Sequence, residues 1–97
     1  SLRNDKGELW ENTIFRILVD KYGVDSIHYW RTSGGNEVDF VLSEIDESIA
    51  IEVKYDRNQV RANKYKLFKE VYPEIPLHFI WLYPFDQHFF QKIYSTI

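Results

Sequence analysis

The apolar positions of this chain follow two different periods. From residue 6 to 22 they return every three or four residues. Trp10, Ile14, Ile17 and Leu18 form one stripe, and Phe15, Val19 and Tyr22 widen it. That spacing predicts a helix with Asp5 as N-cap, Glu8 completing a capping box and Gly23 as the stop. Glu11 falls on the line of Phe15, Leu18 and Tyr22, where a carboxylate needs either a partner or an edge that reaches water. The period then shortens to two, and residues 27–32, 37–43 and 49–55 read as strands. Ser33-Gly34-Gly35-Asn36 is a hairpin turn between the first two, and Asp46-Glu47-Ser48 turns the chain into the third. The third strand is more continuously apolar than the two before it and is expected at the centre of the sheet. Helical spacing returns at 60–72, with Tyr65, Phe68, Val71 and Tyr72 on the apolar face and Pro73 and Pro76 beyond it. Residues 77–83 form a fourth strand, parallel to the third through a right-handed crossover. Phe89, Phe90, Ile93, Tyr94 and Ile97 are spaced for a short terminal helix. This order predicts one α/β domain over residues 1–97, a mixed four-stranded sheet flanked by helices.

Two apolar runs carry charges where strands are expected: Glu37-Val38-Asp39-Phe40-Val41 and Ile51-Glu52-Val53-Lys54. Residues two apart in a strand share a face. Val38, Phe40 and Leu42 then share one face and Asp39 takes the other, while Glu52 and Lys54 lie together. A register that sets Asp39 opposite the Glu52–Lys54 pair brings two carboxylates and an amine to one place. Such a set can hold a hard divalent cation and polarise a water. The same residues also fit a strand whose polar face meets water, with an ordinary cross-strand acid–lysine pair. Removing a carboxylate from such a cluster without metal is expected to be neutral or stabilising, because like charges repel.

Composition narrows the choices. The chain has 97 residues, 44% of them hydrophobic, enough for one core. It has no cysteine, which excludes disulfides and thiolate chemistry. No apolar run approaches the roughly 20 residues of a membrane span, and the N-terminus has no signal-peptide pattern, so a cytoplasmic protein is expected. The chain begins at Ser1 and has no methionine, as expected of a fragment of a longer protein or a processed product. His28, His78 and His88 lack the paired spacing of a zinc site. Gly34-Gly35 precedes a strand, not a helix, so it is no phosphate-binding loop. Trp30, Trp81 and the tyrosines have strand spacing that favours core packing over base stacking. Residues 54–69 carry six basic residues against one acid, so that segment is +5 and the remainder −8 in a chain of net charge −3. Arg57, Arg61 and Lys64 are candidate phosphate contacts within it, or else solvated charges on a helix surface.

The order of elements, with Glu11 on the first helix, Asp39 on the second strand and Glu52-Val53-Lys54 on the third, resembles the PD-(D/E)xK nuclease superfamily, which includes Holliday-junction resolvases and many restriction endonucleases. More closely, Lys6-Gly7-Glu8-Leu9-Trp10-Glu11-Asn12, Tyr29-Trp30-Arg31, Glu37-Val38-Asp39-Phe40-Val41 and Ile51-Glu52-Val53-Lys54 resemble the C-terminal domain of unknown function attached to bacterial and archaeal AAA-type ATPases. The resemblance implies a restriction-endonuclease-like αβββαβ core. It implies that Asp39 and Glu52 bind Mg2+ or Mn2+, that Glu11 supplies a further carboxylate, and that Lys54 positions the attacking water and stabilises phosphate charge. Val38 stands at the superfamily's variable proline position. The implied function is metal-dependent DNA cleavage by a module whose full-length chain carries an ATPase domain. The alternatives are a non-catalytic module of the same fold for DNA docking or protein contacts, and a small α/β interaction domain.

Overall fold

A single sheet of four strands, in the spatial order β1-β2-β3-β4, separates two apolar layers. The computed structural model describes the backbone of residues 2–85 and 89–97, and the side chains of 6–85, 91 and 93–97. His88 and the side chains of Asp5, Phe89 and Phe90, to which roles were assigned above, lie outside the described residues. Strands β1 (Ile27–Arg31), β2 (Glu37–Leu42) and β3 (Ile49–Asp56) pair antiparallel, and β4 (Leu77–Tyr83) runs parallel to β3. Strand β3, more continuously apolar than β1 and β2, is therefore flanked on both edges. The β1–β2 hairpin closes as its glycine pair requires. The Thr32 N–H donates to the Asn36 carbonyl at 2.9 Å, and Gly35 takes φ 90°, which favours glycine.

Helix α1 (Leu2–Tyr22) covers one face. Its stripe of Trp10, Ile14 and Leu18 packs with Phe40, Leu42, Ile51, Val53 and Ile80. Gly23, at φ 85°, ends it, with its N–H donating to the Val19 carbonyl at 2.8 Å. The helix begins at Leu2, so residue 5 lies inside its first turns and not at the N-cap expected there. Ile93 and Ile97, from helix α3 (Phe89–Thr96) and the residue after it, complete this layer, whereas Tyr94 is exposed. No helix among the described residues is long and apolar enough to cross a membrane.

The second face is covered less fully. The helix expected over 60–72 shrinks to α2 (Lys66–Val71), six residues long. Two 3-10 turns, Arg57–Gln59 and Ala62–Tyr65, precede it. The reason is local. Residues 57–64 offer only Val60 and Ala62 for burial, and Asn58 and Asn63 favour turns. Asp56 and Gln59 cap the first turn reciprocally, with the Asn58 N–H donating to Asp56 Oδ1 at 2.8 Å and the Asp56 N–H to Gln59 Oε1 at 3.0 Å. Tyr65 and Phe68 are buried against Val38 and Ala50, while Val71, expected on the apolar face, is exposed. Trp30 packs edge-on against Phe68, a core role that the strand spacing predicted.

Candidate active site

The site begins with a break in the alternation of β2. Ile27 and His28 pair with Leu42 and Val41, but Trp30 and Arg31 pair with Val38 and Glu37. Two residues of β2, Asp39 and Phe40, thus oppose Tyr29 alone, which is a β-bulge. Phe40 and Leu42 face α1, but Val38 packs beside Tyr65 and Phe68 on the opposite side. The expected common face of Val38, Phe40 and Leu42 is therefore wrong at Val38, and the extra residue of the bulge is the cause.

On its other edge β2 parts from β3 at the same point. Their pairing runs Leu42–Ile49, Val41–Ala50 and Phe40–Ile51, which would bring Asp39 opposite Glu52. The strands do not bond backbone to backbone there. The Asp39 N–H donates to Glu52 Oε1 at 2.9 Å, and the Val53 N–H donates to Asp39 Oδ2 at 2.8 Å. Each carboxylate substitutes for a rung that the ladder has lost, which keeps the backbone donors satisfied while the strands diverge. Glu52 is 4% exposed. Its Oε2 accepts the Tyr65 hydroxyl at 2.5 Å and lies 3.4 Å from Lys54 Nζ.

Electrostatics follow from this crowding. Burial pushes the Asp39 carboxyl up to about 8, Glu52 and Glu11 add to the rise, and the Val53 N–H opposes it. Glu11 is raised by burial first, then by Glu52, Glu37 and Glu8, with Arg31 opposing. The Tyr65 hydroxyl is raised by burial and by its bond to Glu52, so it remains a donor. The site holds more negative charge than it can solvate.

An open cleft of about 1080 Å³ collects these groups. Glu11, Asp39, Glu52 and Lys54 all line it. Among the described residues, however, no three His, Cys, Asp or Glu side chains are grouped closely enough to hold a metal ion. Asp39 and Glu52 form the intimate pair. Arg61 and Lys64 line the cleft, whereas Arg57 lies outside that lining with its guanidinium 5.8 Å from the centroid of the Trp81 ring. Arg61 also donates to the Asn58 carbonyl and, at 3.2 Å, to that of Val60. Glu8 is a residue that sequence reasoning missed. It was assigned to capping, yet it lines the cleft beside Glu11. The i, i+3 spacing of Glu8 and Glu11, which sets them on one helix face, was the available signal.

The donor set suits a hard cation. All candidate ligands are oxygens, and an ionised carboxylate has about four acceptor sites, so the two hydrogen bonds on Glu52 leave room for coordination. Magnesium needs only one or two carboxylates, with water completing its octahedron. A divalent cation would also offset the burial, and the repulsion from Glu52, that raise the Asp39 carboxyl.

No curated protein and no solved structure matches the chain. A family model does, over residues 6–94: the domain of unknown function DUF4143. That match spans nearly the whole sequence, includes the bulged strand, the carboxylate pair and the cleft, and makes this chain a member of the DUF4143 family, which occurs with AAA-type ATPases.

Proposed function

We propose that this domain is a metal-dependent DNA endonuclease of the PD-(D/E)xK type, hydrolysing phosphodiester bonds as the cytoplasmic module of an AAA-type ATPase. The observation that carries the reading is the fork between β2 and β3, where Asp39 and Glu52 replace a ladder rung and face one cleft with Lys54. Asp39 and Glu52 would hold Mg2+ or Mn2+, with Glu11 joining through water. The cation would supply charge neutralisation at the scissile phosphate and a more acidic water. The chain's own residues do the remaining work. Lys54 Nζ, partly exposed and beside Glu52, orients the attacking water and meets the charge that develops on phosphorus oxygens. The water that Lys54 orients would add to phosphorus and release a proton to solvent, the bond to the leaving oxygen would break, and that oxygen would take up a proton from solvent in the open cleft. Tyr65 fixes the rotamer of Glu52 through its hydroxyl.

Calorimetric titration with manganese, run beside cleavage of plasmid and junction DNA by this chain and by its parent ATPase, tests the assignment. Manganese binding with metal-dependent cleavage is expected. Lys54→Ala should lower the cleavage rate about a hundredfold with little change in metal affinity, since its charge is matched to the transition state. Binding without cleavage by either protein would favour a non-catalytic docking module, a role that the fork's self-satisfied hydrogen bonds also suit. Neither binding nor cleavage would overturn the metal site.

The basic segment gives a separate test. Lys64 and Arg61 line the cleft and Arg57 does not, so the three should act unequally. Charge reversal at Lys64 should flatten the salt dependence of DNA affinity, by about one unit of log–log slope per lost phosphate contact. An unchanged slope in fluorescence anisotropy would leave Lys64 a solvated surface charge.

A further inference from the structure

The parallel pairing of β3 with β4 sets Lys54 beside Trp81 and Asp56 beside Tyr83. Neighbouring strands lie about 4.8 Å apart and paired residues share a face, so Trp81 adjoins the lysine of the site. The burial of β4 agrees. Ile80 and Leu82 pack into the layer under α1, and Phe79 into the opposite layer against Tyr65. Trp81 and Tyr83 continue the side of Phe79 but belong to neither apolar cluster. Trp81 is partly exposed and Tyr83 is 58% exposed. Helix α2 ends at Val71, and among the described residues the Arg57 guanidinium lies over Trp81, 5.8 Å from the ring centroid. Asp56, the acid on this stretch of β3, accepts the Asn58 N–H in capping the turn that carries Arg57.

We propose that Trp81, Tyr83 and Arg57 form a stacking platform for unpaired bases, continuous with Lys54, and that the DNA this domain takes carries a single-stranded tail or branch at the site. The substrate class rests on the phosphodiester-hydrolysis reading given above; the platform itself does not need cleavage to be measured. A planar indole with a guanidinium over it offers the two surfaces on which bases stack, and stacking tolerates any sequence because every base has a π-face. Lys54, Arg61 and Lys64 in the adjoining cleft supply the cations that a phosphate backbone requires. Blunt duplex keeps its bases stacked on one another and gains nothing from the platform.

The experiment is fluorescence anisotropy of the chain with labelled blunt duplex and with the same duplex bearing a short single-stranded tail. Calcium is used throughout, a hard cation for oxygen ligands. Wild type should bind the tailed DNA about tenfold more tightly or better, the range expected for one or two stacked bases. Trp81→Ala should lose that preference while its affinity for blunt duplex stays within twofold, and Trp81→Phe, which keeps an aromatic face, should retain most of it. Near-ultraviolet circular dichroism checks that both variants are folded. Equal affinity of wild type for the two DNAs, or a preference that survives Trp81→Ala, overturns the proposal. A Trp81-dependent preference in a protein that cleaves nothing would refute hydrolysis and leave the platform standing.

Discussion

Asp39→Asn should reduce metal-dependent cleavage at least about a hundredfold and, in the absence of metal, make the domain more stable at pH 8 than wild type. Both effects come from one carboxylate. On the proposed function its charge would hold the cation, but in the metal-free fold the carboxyl is largely buried next to Glu52, and burial first, then Glu52, pushes it up to about 8, far above the ordinary aspartate range. A pKa raised by folding means that the folded state binds the proton more tightly than the unfolded chain. The resulting stability is fully present below the unfolded value and is lost as pH climbs towards 8. Asparagine does not titrate, and its amide oxygen can still accept the Val53 N–H. Thermal melts in a chelator should therefore show wild type falling from pH 5 to pH 8 relative to Asp39→Asn, by several degrees in a domain of this size. Added manganese should reverse the ranking, because only wild type binds it well. Parallel curves for the two proteins across that range would show that Asp39 is ionised in the fold without cost.

Glu52→Ala should be as damaging to activity, but its larger effect is on folding. A cluster of like charges leads one to expect that removing a carboxylate costs nothing. That expectation applies to Asp39. At Glu52 it is reversed, because two donors depend on this side chain, the Asp39 N–H and the buried Tyr65 hydroxyl. Truncation to alanine leaves both unsatisfied, at about 1–3 kcal/mol each, partly offset by relief of repulsion at Asp39. A net loss of about 2–4 kcal/mol is expected in urea denaturation. Glu52→Gln keeps an acceptor for the Asp39 N–H, and the tyrosine hydroxyl can turn to accept from the new amide, so it should cost less than about 1 kcal/mol. In the Glu52→Ala/Tyr65→Phe double variant the orphaned hydroxyl is gone, and about 1 kcal/mol should return. A double variant no more stable than Glu52→Ala would show that the Tyr65 bond contributes nothing.

The fold was legible because its signals are local. The glycine pair at 34–35, the period-two runs and the helical stripe of Trp10, Ile14 and Leu18 all appear as placed. What escaped has a physical reason in each case. Glu37 to Phe40 alternates polar and apolar as a string, and a bulge leaves no mark on such a pattern, so the alternation predicts the wrong side for Val38. The second helix is shorter than its apolar spacing predicts because the residues before Tyr65 have little to bury. Glu8 was hidden by a sufficient local explanation, the capping box of a helix that in fact starts earlier. The meeting of Asp39, Glu52 and Lys54 follows from strand register, while one of the two hydrogen bonds that make Glu52 structural comes from Tyr65, thirteen residues away.

The exchange of side chains for a ladder rung has an evolutionary consequence. A descendant of this domain that abandoned chemistry would be released from keeping Lys54 and, once free of metal, would gain by losing the charge of Asp39. It would not be released from Glu52, on which two donors of the fold rely. Selection for folding alone therefore retains half of the carboxylate pair and discards the rest. Among sequences of this architecture, a glutamate at this place would be kept for the fold even where the aspartate and lysine beside it are lost.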